Sequence, residues 1–149
     1  MGGFVNGVKE GQGILVNADG GVYDGEWKGD RSNGRGTLAL VNGDRYVGEF
    51  VNEFAEGNGI VSYVSGSMYD GEWKRGKIHG RGTYTWPDGV RYTGEFVNWV
   101  MEGYGVCVYA DGSRYEGQWS KGKRDGKGTL TTLDGEKFTG EFVNDKFLR

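Results

Sequence analysis

The chain has 149 residues and a net charge of −3, long enough for one domain with a buried core and without the basic field that marks nucleic-acid binders. Its single cysteine, Cys107, excludes an internal disulfide framework and fits a reducing compartment. No apolar run approaches the roughly 18–20 residues of a membrane-spanning helix and no signal peptide is visible, so the expectation is a soluble cytoplasmic protein.

From its first residues the chain follows a period of 23. Met1-Gly2 opens like an N-myristoylation signal, but Asn6 stands where that signal needs Ser or Thr. A partial repeat, 1–22, is followed by repeats 23–45, 46–68, 69–91, 92–114 and 115–137 and by a partial repeat, 138–149. Tyr23, Tyr46, Tyr69, Tyr92, Tyr115 and Phe138 open these blocks in strict register. Each block reads Y-x-G-E-W/F, a short polar loop, G-x-G, an apolar stretch, then D-G or N-G. Twenty-five of the 31 glycines hold four fixed places of the period, which implies a local need for positive φ or for close approach at each. A chain that stacks one unit this way presents an extended surface rather than a single pocket.

Within a block, Tyr23-Asp-Gly-Glu-Trp27 alternates aromatic or small residues with acidic ones, the period of a half-buried strand. Residues 34–40 continue with Gly34, Gly36, Leu38 and Leu40 on one face, and no stretch keeps a helical period. Equivalent residues must face the same way in every repeat, so the two pairing registers differ by an odd number. The reading that follows pairs Trp27 with Gly34 around a six-residue loop and sets Gly25 opposite Gly36. It then pairs Leu40 with Asp44 around Val41-Asn42-Gly43, with Gly43 as the left-handed residue of a G1 bulge. A two-residue Asn-Gly turn, with the first register shifted by one, is the alternative. Either way the fold class is all-β: an elongated antiparallel β-meander solenoid of about six 23-residue hairpins.

Strand spacing of about 4.8 Å makes this meander about 55 Å long and sets equivalent rings about 9–10 Å apart, too far to touch. Tyr63, Tyr84, Trp86 and Tyr109 are suitable fillers. The stripe reads as a core ladder laid over bare glycine backbone, not as a ligand platform. On the polar face, Glu26 opposite Arg35, Glu72 opposite Arg81 and Gln118 opposite Lys127 suggest cross-strand charge pairs.

The closing aromatic alternates as Phe4, Trp27, Phe50, Trp73, Phe96, Trp119 and Phe142. Trp-type loops are basic (Lys28, Arg31; Lys74, Arg75, Lys77; Lys121, Lys123, Arg124), whereas Phe-type loops carry Glu53, Glu56 and Glu102. Neighbouring loops thus partly neutralise one another, which weakens the case for a continuous basic strip on an anionic membrane. Phe54, Trp99, Val100 and Met101 lie in these loops, where solvent is expected, and read as a partner contact. At the end of the chain the strand Phe138–Phe142 reads as an unpaired edge, and Phe147 and Leu148 leave the motif. A homodimer joined antiparallel near the C-terminus through Phe138, Phe142, Phe147 and Leu148 is the simplest protection of that edge, in what reads as a fragment of a longer array.

Chemistry has little to work with. His79 stands in a loop, Cys107 stands on the aromatic face as a small core residue, and no second pair completes a metal set. The G-x-G pairs precede strands rather than helix starts, which removes the phosphate-loop mechanism. No catalytic residue, cofactor or metal is expected.

The unit is best seen as Tyr69-Asp-Gly-Glu-Trp-Lys-Arg-Gly-Lys-Ile-His-Gly-Arg-Gly82, and it resembles the MORN (membrane occupation and recognition nexus) repeat over nearly the whole chain. The uninterrupted array is similar to the MORN-only cytoskeletal proteins of protists. Phe50-Val-Asn-Glu-Phe-Ala-Glu-Gly57 and Phe96-Val-Asn-Trp-Val-Met-Glu-Gly103 depart from the pattern, which makes the true unit a 46-residue pair of unlike hairpins. The resemblance implies a non-catalytic scaffold that self-associates and organises cytoskeletal or membrane-associated proteins. It places the chain at the cytoskeleton or the inner face of a membrane. It also implies an alternative, a phosphoinositide- or membrane-binding module using outer-face Arg45, Arg91, Arg114 and Lys137. A third reading, a sugar- or choline-type solenoid using the ladder, lacks the recurrent Gly-Glu-Trp/Phe of this chain.

Overall fold

The computed structural model describes residues 3–5 and 7–149, apart from the side chains of Phe4 and Val5; Met1, Gly2 and Asn6 lie outside the described residues. Fourteen strands and no helix are found there. The chain forms two compact units, Met1–Lys77 and Ile78–Arg149. The first holds β1 (Gly3–Val5), β2 (Val8–Val16), β3 (Val22–Lys28), β4 (Arg31–Ala39), β5 (Arg45–Val51), β6 (Phe54–Ser62) and β7 (Met68–Lys74). The second holds β8 (Lys77–Thr85, from its second residue), β9 (Arg91–Val97), β10 (Val100–Val108), β11 (Arg114–Ser120), β12 (Lys123–Thr131), β13 (Lys137–Val143) and β14 (Lys146–Phe147). Within each unit strand order is chain order and every pairing is antiparallel, which makes the fold the expected all-β meander of hairpin repeats.

The three-residue turn forms as its sequence predicts. Leu40 N–H donates to the Asp44 carbonyl at 2.9 Å, Gly43 N–H to the Leu40 carbonyl at 3.0 Å, and Gly43 has φ of 102°. Gly25 faces Gly36 across the first pair of strands, also as expected.

The six-residue loop does not form. Trp27 pairs with Ser32 rather than Gly34, and Lys28 with Arg31, around the two-residue turn Gly29-Asp30. Both turn residues have positive φ (58° and 65°), the type I′ geometry whose twist matches that of the strands it joins. The ladder absorbs the surplus residues in a bulge that sets Asn33, Gly34 and Arg35 opposite Glu26. Gly34 takes φ of 90° there and pairs onward with Phe50 of the next hairpin. Glu26 reaches Arg35, as expected, but through the backbone: Arg35 N–H donates to Glu26 Oε2 at 2.5 Å. Glu49, Glu95 and Gln118 close the equivalent bulges on the N–H groups of Asn58, Tyr104 and Lys127, each at 2.8 Å. Of the two glycines in G-x-G, the first is therefore required for conformation and the second for space.

The C-terminal edge also differs from expectation. Phe142 and Val143 pair with Phe147 and Lys146, and Glu141 exchanges two backbone hydrogen bonds with Leu148 and Arg149. The tail turns back over this stretch of β13, so Phe138–Phe142 is not an unpaired edge along its length.

Candidate interaction surface

The repeated positions are spent on self-packing. Tyr23 lies over Gly36, where an added Cβ would fall 2.6 Å from the ring, and its hydroxyl donates to the Glu26 carbonyl at 2.9 Å. Indole Nε1–H groups of Trp27, Trp73 and Trp119 donate to the carbonyls of Gly13, Gly59 and Gly105 at 2.9–3.0 Å. The rings fill the strand spacing themselves. Tyr23 meets Trp27 edge-on at 5.2 Å and Phe50 at 5.0 Å, Tyr46 meets Phe50 at 5.0 Å and Trp73 at 5.2 Å, and Tyr92 and Tyr115 do likewise in the second unit. The expected fillers Tyr63, Tyr84, Trp86 and Tyr109 are half-buried on the same side, and Tyr23, Tyr46, Tyr92 and Tyr115 each touch their own closing aromatic and the next. Burial pushes the Tyr23 and Tyr46 phenols up to about 12, and Tyr92 further. The ladder is core.

A third row closes over it. Ser32, Ala55, Met101, Arg124 and Phe147 stand directly across from Trp27, Phe50, Phe96, Trp119 and Phe142. Lys9 holds the equivalent place and sets its ammonium 4.8 Å from the Trp27 ring. Sequence reasoning missed this row because its residue types vary. Its signal was spacing alone, five residues beyond each closing aromatic.

The two-residue turns interlock. Each tip donates a backbone N–H to the carbonyl just after the preceding tip: Asp30 to Lys9, Glu53 to Ser32, Gly76 to Ala55, Trp99 to Ile78, Gly122 to Met101 and Asp145 to Arg124. A side chain next to that carbonyl takes a second N–H: Glu10 from Gly29, Asn33 from Asn52, Glu56 from Arg75, His79 from Asn98, Glu102 from Lys121 and Asp125 from Asn144. His79 is thus one member of a structural clamp, accepting through Nδ1 at 3.4 Å. Cys107 is buried as expected, with its thiol pushed up to about 11 by burial, which leaves it protonated and a poor nucleophile at neutral pH. Among the described residues no group of His, Cys, Asp and Glu could hold a metal, and no helix is long and apolar enough to cross a membrane.

The predicted contact residues separate into different settings. Phe54 opens β6 across from Val51, 47% exposed, with the Arg75 guanidinium 5.6 Å from its ring. Trp99 occupies the second position of a type I′ turn at φ of 76°, 50% exposed, beside the exposed pair Val97 and Val100. Met101 instead faces inward as part of the closing row. At the C-terminus Phe142 is 1% exposed, beneath Phe147 at 5.2 Å, so it belongs to the core; Phe138, Phe147 and Leu148 remain accessible.

Of the predicted headgroup residues, Arg91, Arg114 and Lys137 share one cross-strand row in the second unit, with Val108 and Thr131 between them. Arg114 pairs with Glu116 at 3.1 Å, and both line a polar cavity of about 340 Å³ with Tyr104, Thr129, Thr131 and Lys137. Arg45 lies in the first unit, in a row with Ala39 and Ser62. A second groove, of about 420 Å³, is lined by Tyr109, Asp111, Ser113, Arg124, Leu130, Thr132 and Leu133.

Comparison with known proteins agrees with this architecture. The family model described as MORN repeat matches residues 1–22, 23–45, 46–68, 69–91, 92–114 and 115–137. No curated protein matches the chain. Among solved structures it is similar to the TCP domain of SAS-4 (dCPAP) from Drosophila melanogaster, in complex with a proline-rich motif of Ana2 (dSTIL). Identity is 14%, the match covers 87% of this chain and 77% of that one, and the TM-score is 0.50. It also matches the wild-type TCP10 domain of CPAP from Danio rerio, at 12% identity over 93% of this chain and 81% of that one, with a TM-score of 0.33. At these identities the first likeness bears on fold alone.

Proposed function

The chain belongs to the MORN-repeat family, and from that premise we propose that it is a non-catalytic scaffold that gathers protein partners at cytoskeletal or membrane-adjacent structures of the cytoplasm. One observation carries the reading: the repeated tyrosines, closing aromatics and glycines are consumed in the ladder and the bulges, while Phe54, Trp99 and Val100, which vary between repeats, stand exposed. An unvarying frame with varying side chains is how repeat arrays present a binding surface. Trp99 is the sharpest instance, a large side chain held half-exposed at a left-handed backbone position that normally favours Gly or Asn. The complex of the Drosophila TCP domain with a proline-rich motif supports protein partners in general. The test is proximity labelling in cells with the chain and with Phe54→Ser/Trp99→Ser/Val100→Ser. The variant should keep its far-UV spectrum and lose a defined set of neighbours; an unchanged set removes these residues as the contact.

Self-association belongs to the same proposal, through the exposed Phe138, Phe147 and Leu148, with Phe142 supporting them from below. Light scattering should show a dimer that Leu148→Ser weakens, and a strict monomer at high concentration removes it. The shared row of Arg91, Arg114 and Lys137 favours a second reading, a module for phosphoinositide headgroups with Arg45 as a separate cation. That reading predicts binding to phosphoinositide-containing vesicles that falls with salt and with Arg91→Gln/Lys137→Gln. Equal binding to neutral vesicles contradicts it.

A further inference from the structure

We propose that the two-residue-turn edge of the first unit takes an acidic, extended segment of a partner protein, in which one apolar residue has an acidic residue three positions to either side. The inference deepens the scaffold reading by naming the partner chemistry for Phe54, and it rests on that reading.

Three hairpin tips bring the site together. Trp27, Phe50 and Trp73 are buried on the ladder face, so the residue after each points to the opposite, outer face. There Lys28 stands across from Arg31, and Val51 across from Phe54, the latter two 49% and 47% exposed. Lys74 and Lys77 hold the same two places around Arg75-Gly76. The order along the edge is cation pair, apolar pair, cation pair. Successive pairs lie two strands apart, about 9–10 Å.

Folding does not account for this order. Like charges directly across a ladder are destabilising, and a purely solvating face interleaves both signs. Among the described residues none of Lys28, Arg31, Lys74 and Lys77 has an ion-pair partner. Two nearby carboxylates are engaged by main chain: Asp30 accepts from Lys9 N–H at 2.6 Å and Glu56 from Arg75 N–H at 2.5 Å. Glu53 stands exposed at its turn tip, and with Arg75 included the three tips hold five cations against three carboxylates. The surplus is positive, so the complementary ligand is acidic. Between the cations, the Arg75 guanidinium lies 5.6 Å from the Phe54 ring and leaves the ring half open to an apolar side chain.

The spacing selects the ligand's conformation. A polyproline II chain returns to the same face every three residues and rises about 9.3 Å in doing so. An acidic, an apolar and a second acidic side chain, each three residues apart, therefore meet the three pairs in order. Acidic disordered segments populate this conformer without needing proline. A helix returns to one face after seven residues and about 10.5 Å, and overshoots across two intervals. A fluid lipid surface has no fixed spacing to match.

The test titrates the full chain with a synthetic peptide whose single phenylalanine has a glutamate three residues to each side. Comparison peptides place the glutamates two or seven residues away, or replace them with lysine. The three-residue peptide should bind at least about threefold better than the respaced ones, with an affinity that falls as salt rises. Lys28→Gln/Arg31→Gln should weaken it about three- to tenfold while thermal stability stays equal or rises, because a like-charge pair is relieved. Phe54→Ser should weaken it about tenfold, the loss of one aromatic contact. Equal binding of all spacings, preference for the lysine peptide, or no binding at millimolar concentration overturns the inference. Preference for phosphatidylserine vesicles over the peptide at equal charge overturns it in favour of a membrane. Partner loss in the Phe54/Trp99/Val100 variant with no peptide bound would leave the scaffold reading standing; unchanged cellular neighbours with intact peptide binding would do the reverse.

Discussion

Glycine does two jobs in this chain, and they are separable residue by residue. Gly34 and its equivalents adopt positive φ to make the bulge, whereas Gly36 and its equivalents are bare because a tyrosine ring occupies the place of a Cβ. Gly36→Ala would put its methyl carbon 2.6 Å from Tyr23 Cε1, and the buried ring cannot retreat without breaking its hydrogen bond to the Glu26 carbonyl. Urea unfolding should show a loss of about 2–3 kcal/mol, in the range of core overpacking. A change within about 0.5 kcal/mol would mean that the ring does not lie there. The need for a bare backbone at Gly36 was legible in the sequence, because a glycine held in phase beside large rings marks a place where a Cβ would collide with one of them. That Tyr23 is the ring covering Gly36 was not, because the sequence reading seats Trp27 over Gly34 and the bulge instead moves Trp27 onto Ser32.

At the scale of the hairpin, the turns differ in how plainly they announce themselves. The three-residue turn repeats its Gly at Gly43, Gly66, Gly89, Gly112 and Gly135, and the positive φ there follows from the residue type. The two-residue turn hides, since its pairs run Gly29-Asp30, Asn52-Glu53, Arg75-Gly76, Asn98-Trp99, Lys121-Gly122 and Asn144-Asp145. In each pair Gly or Asn covers only one of the two left-handed positions, and contacts from the preceding hairpin hold the other. Those contacts are the clamps, which couple residues 19 apart and leave no local pattern. Glu102 accepts from Lys121 N–H in one of them. Glu102→Ala should lower stability by about 1–2 kcal/mol in thermal or urea unfolding, the cost of a charge-assisted bond lost from a partly buried site, while Glu102→Gln should recover most of it. Equal losses for alanine and glutamine would remove the clamp from the account. The closing row, from Ser32 to Phe147, was illegible for a related reason: it is defined by position across from an aromatic, not by residue type. Phe147, which reads in sequence as leaving the motif, occupies the same place as Arg124 one period earlier.

Across the whole molecule, the functional reading depends on where the aromatic surface went. Were the rings an open platform, ligands would be sought along the ladder, as for a sugar- or choline-binding solenoid. With the rings edge-on to one another and the indoles bonded to glycine carbonyls, the binding surface falls to the variable residues: the Trp99 tip, the Phe54 hairpin and the outer basic row. The candidate contacts Phe54, Trp99 and Val100 were legible because large apolar residues in a connection where solvent is expected need a reason. Met101 was misread for want of the true turn. Collisional quenching by iodide tests the closed ladder most directly, in a Trp86→Phe/Trp99→Phe variant that retains Trp27, Trp73 and Trp119. These three indoles should emit at short wavelength and resist quenching until the chain unfolds. Red-shifted emission with quenching close to that of free tryptophan in the folded chain would contradict the account.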